Sequence, residues 1–227
     1  MKKKKLVAYT MATIMAMSLF SGCSDKTNEE NSNNTTTNQD NSKNPTATPT
    51  DNIYGLRDNT EDGAILHCFA WSFTTITESM EDIAMAGFST IQTSPVNACY
   101  DGGDAGMELF GSGKWYYHYQ PTDWTIGNYQ LGTKEEFKKM CETAHKYGIK
   151  VLVDVAPNHT TKVTEAISEN LINAVGGLDK LYHSNGMSSI TSYTDRAQCT
   201  LQGVGGLYDV NTENPKFQNY YLEYLND

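Results

Sequence analysis

The stretch KVLVDVAPNHT, residues 150–160, sets one acid inside an apolar run and then releases a proline, an asparagine and a histidine. Val151, Leu152, Val153 and Val155 around Asp154 read as a parallel strand covered on both faces, because only such a strand is apolar almost throughout. A carboxylate in that setting must be paired or hydrogen-bonded, since an isolated interior charge is expensive. Parallel sheets place their chemistry at the C-terminal ends of strands. Residues 154–159 therefore read as one wall of a site.

A second cluster precedes it. GKWYYHYQPTDWTIGN, residues 113–128, gathers Trp115, Tyr116, Tyr117, Tyr119 and Trp124 with neither the helical nor the strand period of core residues. It belongs to an excursion over 97–133 that reads as irregular, and loops of that length are usually functional. DGGDAG at 101–106 suggests a cation loop, but it lacks EF-hand spacing and reads as a mobile loop. A third segment, GGLYDVNTENP at 205–215, places Asp209 shortly before a helix start.

The elements that must hold these residues follow a rhythm. AILHCFAW, 64–71, is a short apolar strand; Ile76, Met80, Ile83 and Ala84 then recur at helical spacing, with Gly87 as a C-terminal glycine. FSTIQTSPV, 88–96, is a second strand, and strand, helix, strand with short joins implies a parallel sheet with a right-handed crossover. Thr133 with Glu136 three residues on forms a capping box. The helix it opens has a buried stripe of Phe137, Met140, Cys141, Ala144 and Tyr147, and Gly148 ends it. Residues 160–211 break the rhythm with a short helix near 166–174 and a polar Gly/Ser/Thr section. Residues 216–225 restore it, with Phe217, Tyr220, Tyr221, Tyr224 and Leu225 on one face.

Residues 1–22 stand apart. Lys2 to Lys5 precede an apolar middle and the sequence LFSGC, which resembles a bacterial lipoprotein signal cleaved before Cys23, with a lipid carried on that cysteine. The alternative is an ordinary secretory signal. The segment is too short and too interrupted to be a permanent span. Loss of its four lysines takes the formal charge from −10 to −14, a balance that repels nucleic acid and anionic lipid. Residues 23–52, rich in Asn, Thr, Ser and Pro, read as a disordered tether. The remaining cysteines, Cys68, Cys99, Cys141 and Cys199, allow three pairings into two disulfides, or stay as buried thiols. No C-x-x-C metal spacing occurs.

Taken in order, the βαβ unit, the YQP loop, the capped helix, DVAPNH at 154–159, an insertion and GLYDVN at 206–211 resemble the N-terminal part of alpha-amylases of glycoside hydrolase family 13. The resemblance covers about 62–227 and is strongest for secreted bacterial members. It implies an α/β fold: the first three βα units of a (β/α)8 TIM barrel with a small domain inserted after the third strand. Residues 53–159 would hold barrel strands 1–3 and helices 1–2, 160–211 the inserted domain and 212–227 barrel helix 3, where the chain stops. It also implies roles. Tyr119 would stack on the sugar at the cleavage subsite, with Gln120 and Trp115 beside it, and His159 would donate to a hydroxyl of that sugar. Asn158, the Asp209 carboxylate and the Thr200 carbonyl would hold a structural calcium ion, and Asp154 would anchor an arginine later in the family sequence.

These roles are physically coherent. Calcium takes six to eight hard oxygen ligands, and aromatic rings suit the apolar C–H face of a sugar. Retaining hydrolysis needs two carboxyls about 5 to 5.5 Å apart, yet the family's nucleophile and acid/base follow later strands, so no catalytic residue is expected within this chain. The implied activity is endo-hydrolysis of α-1,4 links in starch or maltooligosaccharides by an exported, lipid-anchored protein. A glucan-binding protein without catalysis, a transglycosylase and an α-1,6-glucosidase are the alternatives. Local alternatives also stand: a strand-end turn for Asn158 and His159, a helix cap for Asp209 and a core position for Trp115.

Overall fold

The computed structural model describes residues 52–102 and 114–227. The expected export signal, Cys23, all but the last residue of the expected tether and residues 103–106 of DGGDAG lie outside them. In chain order the elements are β1 (Ala64–Cys68), α1 (Phe73–Glu78), α2 (Met80–Met85), β2 (Phe88–Thr93) and β3 (Asn97–Cys99). A 3-10 turn at Trp115–Tyr119 leads to β4 (Pro121–Asn128), β5 (Gly132–Thr133), α3 (Lys134–Lys146) and β6 (Lys150–Val153). Then come β7 (His159–Thr160), α4 (Glu169–Val175), α5 (Leu178–Leu181), α6 (Arg196–Leu201), β8 (Tyr208–Asp209) and α7 (Pro215–Asn226). No helix among the described residues is long and apolar enough to cross a membrane.

β1, β2 and β6 form a parallel sheet in that order, with Leu66 opposite Ile91 and Ile91 opposite Val151. This is the βα rhythm expected of a barrel's first strands. Cys68, Ile91 and the half-buried Leu66, Val151 and Val153 pack with Phe73, Ile76, Met80, Met140 and Ala144 from the helices. The opposite face is left largely open: Ile65 is 44% exposed and Leu152 39%. The reading of 151–155 as covered on both faces is corrected accordingly. The run is apolar because both faces suit burial, but the described residues cover only one.

Several boundaries also differ from expectation. The first strand ends at Cys68, because Ala70 takes a left-handed conformation at φ 60° and Trp71 N–H turns back to the Cys68 carbonyl at 3.2 Å. The expected single helix breaks at Ser79 into α1 and α2, each six residues long. Part of the excursion read as irregular is an antiparallel sheet, β3-β4-β5. β3 and β5 are only three and two residues long, and the β3–β4 register is shifted, so no sequence period shows. The capping box is present: Thr133 Oγ1 accepts from Glu136 N–H at 3.2 Å, and Glu136 Oε2 accepts from Thr133 N–H at 2.8 Å. On α7, Leu225 is 53% exposed rather than part of the buried face. The four described cysteines are free, and only Cys68 is buried.

One buried carboxylate ties the insertion to the rest. Asp123 on β4, 6% exposed, accepts from Ser168 Oγ at 2.6 Å and from Tyr220 Oη at 2.7 Å. Ser168 also caps α4, and Tyr220 lies on α7. Asp123→Ala strands two hydroxyls and is expected to cost about 3 kcal/mol, and Tyr220→Phe about 2 kcal/mol. Urea unfolding of the chain checks both values.

Candidate functional site

The rim above the parallel sheet is built around Tyr119. Its phenol donates to Asp154 Oδ2 at 2.8 Å, and its carbonyl accepts from His159 Nε2 at 3.0 Å. Asp154 continues β6 on the same face as Leu152, and His159 opens β7, so one tyrosine joins the 3-10 turn to both ends of the DVAPNH segment. Burial, with the bond to Asp154, pushes the Tyr119 phenol up to about 12. Behind it the Phe69 ring lies nearly parallel, centroids 6.4 Å apart at 16°. Phe69 is fixed by the turn after β1: Ala70 N–H donates to Ser94 Oγ at 2.8 Å, and Gln130 Nε2 donates to the Ala70 carbonyl at 3.0 Å.

The other expected sugar contacts surround this pair. Trp115 is 48% exposed and edge-on to Tyr119 at 6.5 Å, so it is not a core residue. Gln120 Oε1 accepts from Thr161 Oγ1 at 3.2 Å. His159 keeps Nδ1 buried and without a hydrogen-bond partner among the described residues. Burial holds its pKa low against the opposing pull of the Tyr119 carbonyl and Asp209, which keeps the ring neutral, with its N–H on Nε2 and Nδ1 as an acceptor.

The expected cation ligands divide. β7 pairs with β8, His159 opposite Asp209, and Val210 N–H donates to the Asn158 carbonyl at 2.9 Å. Asn158 and Asp209 are therefore neighbours, and the Asn158 side chain has no hydrogen-bond partner among the described residues. Asp209 does not cap α7; Asn214 does, accepting from Lys216 N–H at 3.0 Å. Thr200 lies exposed on α6, its hydroxyl donating to the Arg196 carbonyl at 3.0 Å, and no hydrogen bond links it to the other two. Among the described residues no group of three or more His, Cys, Asp or Glu side chains could hold a metal. A cation here must rely on amide and carbonyl oxygens beside one buried carboxylate, a donor set that suits calcium rather than zinc.

Sequence reasoning passed over three residues. His183 donates from Nδ1 to Asp209 Oδ2 at 2.6 Å and from Nε2 to Glu213 Oε2 at 2.5 Å. Burial alone would lower its pKa, but the two carboxylates raise it above the ordinary value. His118, within the YYHYQP run, is wholly buried beside the Phe69 ring at 5.6 Å, and neither ring nitrogen has a partner among the described residues. No period or motif marks either histidine. Glu213 could have been flagged only as a neighbour of GLYDVN.

Comparison with known proteins agrees with this architecture. The family profile for the alpha amylase catalytic domain matches residues 28–184. An alpha-amylase of Butyrivibrio fibrisolvens is 54% identical over 178 residues, which is 78% of this chain and 18% of that protein. One from Clostridium acetobutylicum is 36% identical over 174 residues, 75% of this chain and 21% of that protein. The chain thus spans about a fifth of the length of these relatives. The solved wild-type alpha-amylase I of Eisenia fetida superposes with a TM-score of 0.59 at 22% identity, over 72% of this chain and 34% of that one. The alpha-amylase of Geobacillus thermoleovorans gives 0.56 at 21% identity, over 72% and 36%. This structural likeness establishes the fold as the N-terminal part of the alpha-amylase barrel.

The buried imidazole makes a pH prediction. Burial lowers the His118 pKa from 6.5 to about 4, so as pH falls between those values the unfolded chain takes up a proton that the folded chain refuses. Stability is therefore lost on acidification through that window, by up to about 3 kcal/mol. His118→Phe is expected to flatten this part of the dependence when urea unfolding is compared at pH 7 and pH 4.5. An unchanged slope would show that His118 is not buried neutral.

Proposed function

This chain belongs to the alpha-amylase family of glycoside hydrolases, and from that we propose that it is part of an enzyme that cuts internal α-1,4-glucosidic bonds of starch-like glucans with retention. The observation that carries the reading is the double engagement of Tyr119, by Asp154 through its phenol and by His159 through its carbonyl. It sets an aromatic face at the strand ends, next to an exposed tryptophan, in the manner a sugar ring requires. The Geobacillus thermoleovorans neighbour was solved with acarbose and a form of the Eisenia fetida enzyme with maltohexaose, which supports a glucan ligand.

In this reading the residues described here hold the sugar and do not break the bond. The carboxylate at the end of β6 is Asp154, and its Oδ2 is engaged by Tyr119. Retention needs a nucleophile and an acid/base about 5 to 5.5 Å apart, supplied from outside these three βα units. Tyr119 orients the sugar ring whose glycosidic bond is to be cleaved. His159, whose single N–H as a neutral ring goes to the Tyr119 carbonyl, offers Nδ1 as an acceptor to a sugar hydroxyl rather than the donor expected of it, and Trp115 extends the apolar wall. Asn158 and Asp209, with the Thr200 carbonyl, would hold a calcium ion that pins the β7–β8 pair. Such an ion supplies structural charge and takes no part in the bond cleavage. Export through residues 1–22 and a lipid on Cys23 would place the enzyme at the cell surface, where polymeric starch is met.

The 227-residue chain alone is expected to give no turnover of soluble starch. A polypeptide carrying these residues within a complete barrel is expected to release products in the α-anomeric form, read by proton NMR. In that polypeptide, Tyr119→Ala should lower kcat/KM about 100-fold through misplacement of the sugar. Robust hydrolysis by the short chain, or β-anomeric products from the complete barrel, would overturn the proposal. Binding of maltohexaose without hydrolysis by the complete barrel would favour a non-catalytic glucan-binding protein.

A further inference from the structure

His183 lies outside the sugar wall and belongs to none of the sequence motifs, yet it is laced to Asp209 from two directions. The turn at 183–186 closes through Gly186 N–H donating to the His183 carbonyl at 2.9 Å, and Asp209 N–H donates to the Gly186 carbonyl at 2.9 Å. Gly186 is required there: a Cβ would sit 2.5 Å from the Asp209 carbonyl oxygen. Within this frame the imidazole, 11% exposed, donates from Nδ1 to Asp209 Oδ2 at 2.6 Å, the carboxylate being 4% exposed. Its other nitrogen donates to Glu213 Oε2 at 2.5 Å, just before α7. The ring is thus held at both nitrogens, and one oxygen of Asp209 is held by the ring. Among the described residues the other oxygen, Oδ1, has no hydrogen-bond partner, and the neighbouring Asn158 side chain has none either.

We propose that His183 is a positioning residue for the cation site, fixing the rotation of the Asp209 carboxylate so that Oδ1 is presented beside Asn158, with Glu213 locking the ring from behind. The inference rests on the calcium reading above. A carboxylate free to rotate must be ordered at the moment of binding, whereas one already anchored through a single oxygen offers the other without that loss. Partners that orient metal ligands in this way typically contribute 10- to 100-fold in metal affinity.

The test is calcium titration into the metal-free 227-residue chain, followed by calorimetry and by the rise in Tm. The unmodified chain is expected to bind. His183→Ala should weaken binding by about 10- to 100-fold. His183→Asn, whose amide can replace the Nδ1 donor, should recover most of that loss, and His183→Gln, which mimics the other nitrogen, should not. Glu213→Gln should give a smaller loss. Tyr220→Phe, which lowers stability through Asp123, should leave calcium affinity unchanged and so separates positioning from general weakening. If the unmodified chain binds no calcium, the cation reading falls and this inference with it. If it binds and His183→Ala binds equally well, only the positioning role falls. If His183→Ala does not fold, the asparagine and glutamine variants decide, and equal affinity in the two overturns the role.

Discussion

Tyr119 is gripped at two ends, and the rim depends on that grip. Its phenol and its carbonyl satisfy two side chains that leave the same strand, Asp154 at the end of β6 and His159 five residues later. Without Tyr119 the Asp154 carboxylate would lose a side-chain donor, and removing a partner costs more than a hydrogen bond contributes when made. The Phe69 ring, lying almost parallel behind, limits where the tyrosine can move. The left-handed turn at Ala70 is the backbone cost of putting Phe69 there. Two bonds from distant segments, Ser94 and Gln130, hold that turn.

The sheet beneath explains why the rim is open. Three parallel strands pack one face against α1, α2 and α3, and this face holds the continuous core. The other face, with Ile65, His67 and Leu152, points toward what would be a barrel interior and is largely uncovered by the described residues. A barrel fills that interior with layers of side chains drawn from alternate strands. The relatives that the chain matches are about five times as long as the matched region.

The insertion after β6 carries several short elements, and it is tied down by polar groups as much as by apolar ones. Asp123 collects hydroxyls from Ser168 and Tyr220, and Asp209 collects the His183 ring. Trp124 and Phe217, with ring centroids 4.9 Å apart, supply the apolar contact between β4 and α7. A carboxylate that is buried and doubly satisfied, as Asp123 is, specifies a geometry more sharply than aliphatic packing does, because each lost donor leaves a charge without compensation.

Local rules written in the sequence were enough for the parallel βα rhythm, the capping box at Thr133 and Glu136, the glycine at 148 and the polar end of the third strand. Each depends on neighbours within a few residues, where spacing alone selects the conformation. Motif order was enough to bring Asn158 and Asp209 into one hypothesis. What needed the folded chain were the features that depend on partners far apart in sequence. The β3-β4-β5 sheet pairs strands across a long loop, and β3 and β5 are too short to show a period. Ala70 is left-handed although nothing about alanine favours it. His118 and His183 read alike as isolated histidines, yet one is buried against a phenyl ring and the other sits between two carboxylates. Burial and charge at a titratable group are set by what the rest of the chain places around it, and that information exists only once the tertiary contacts have formed.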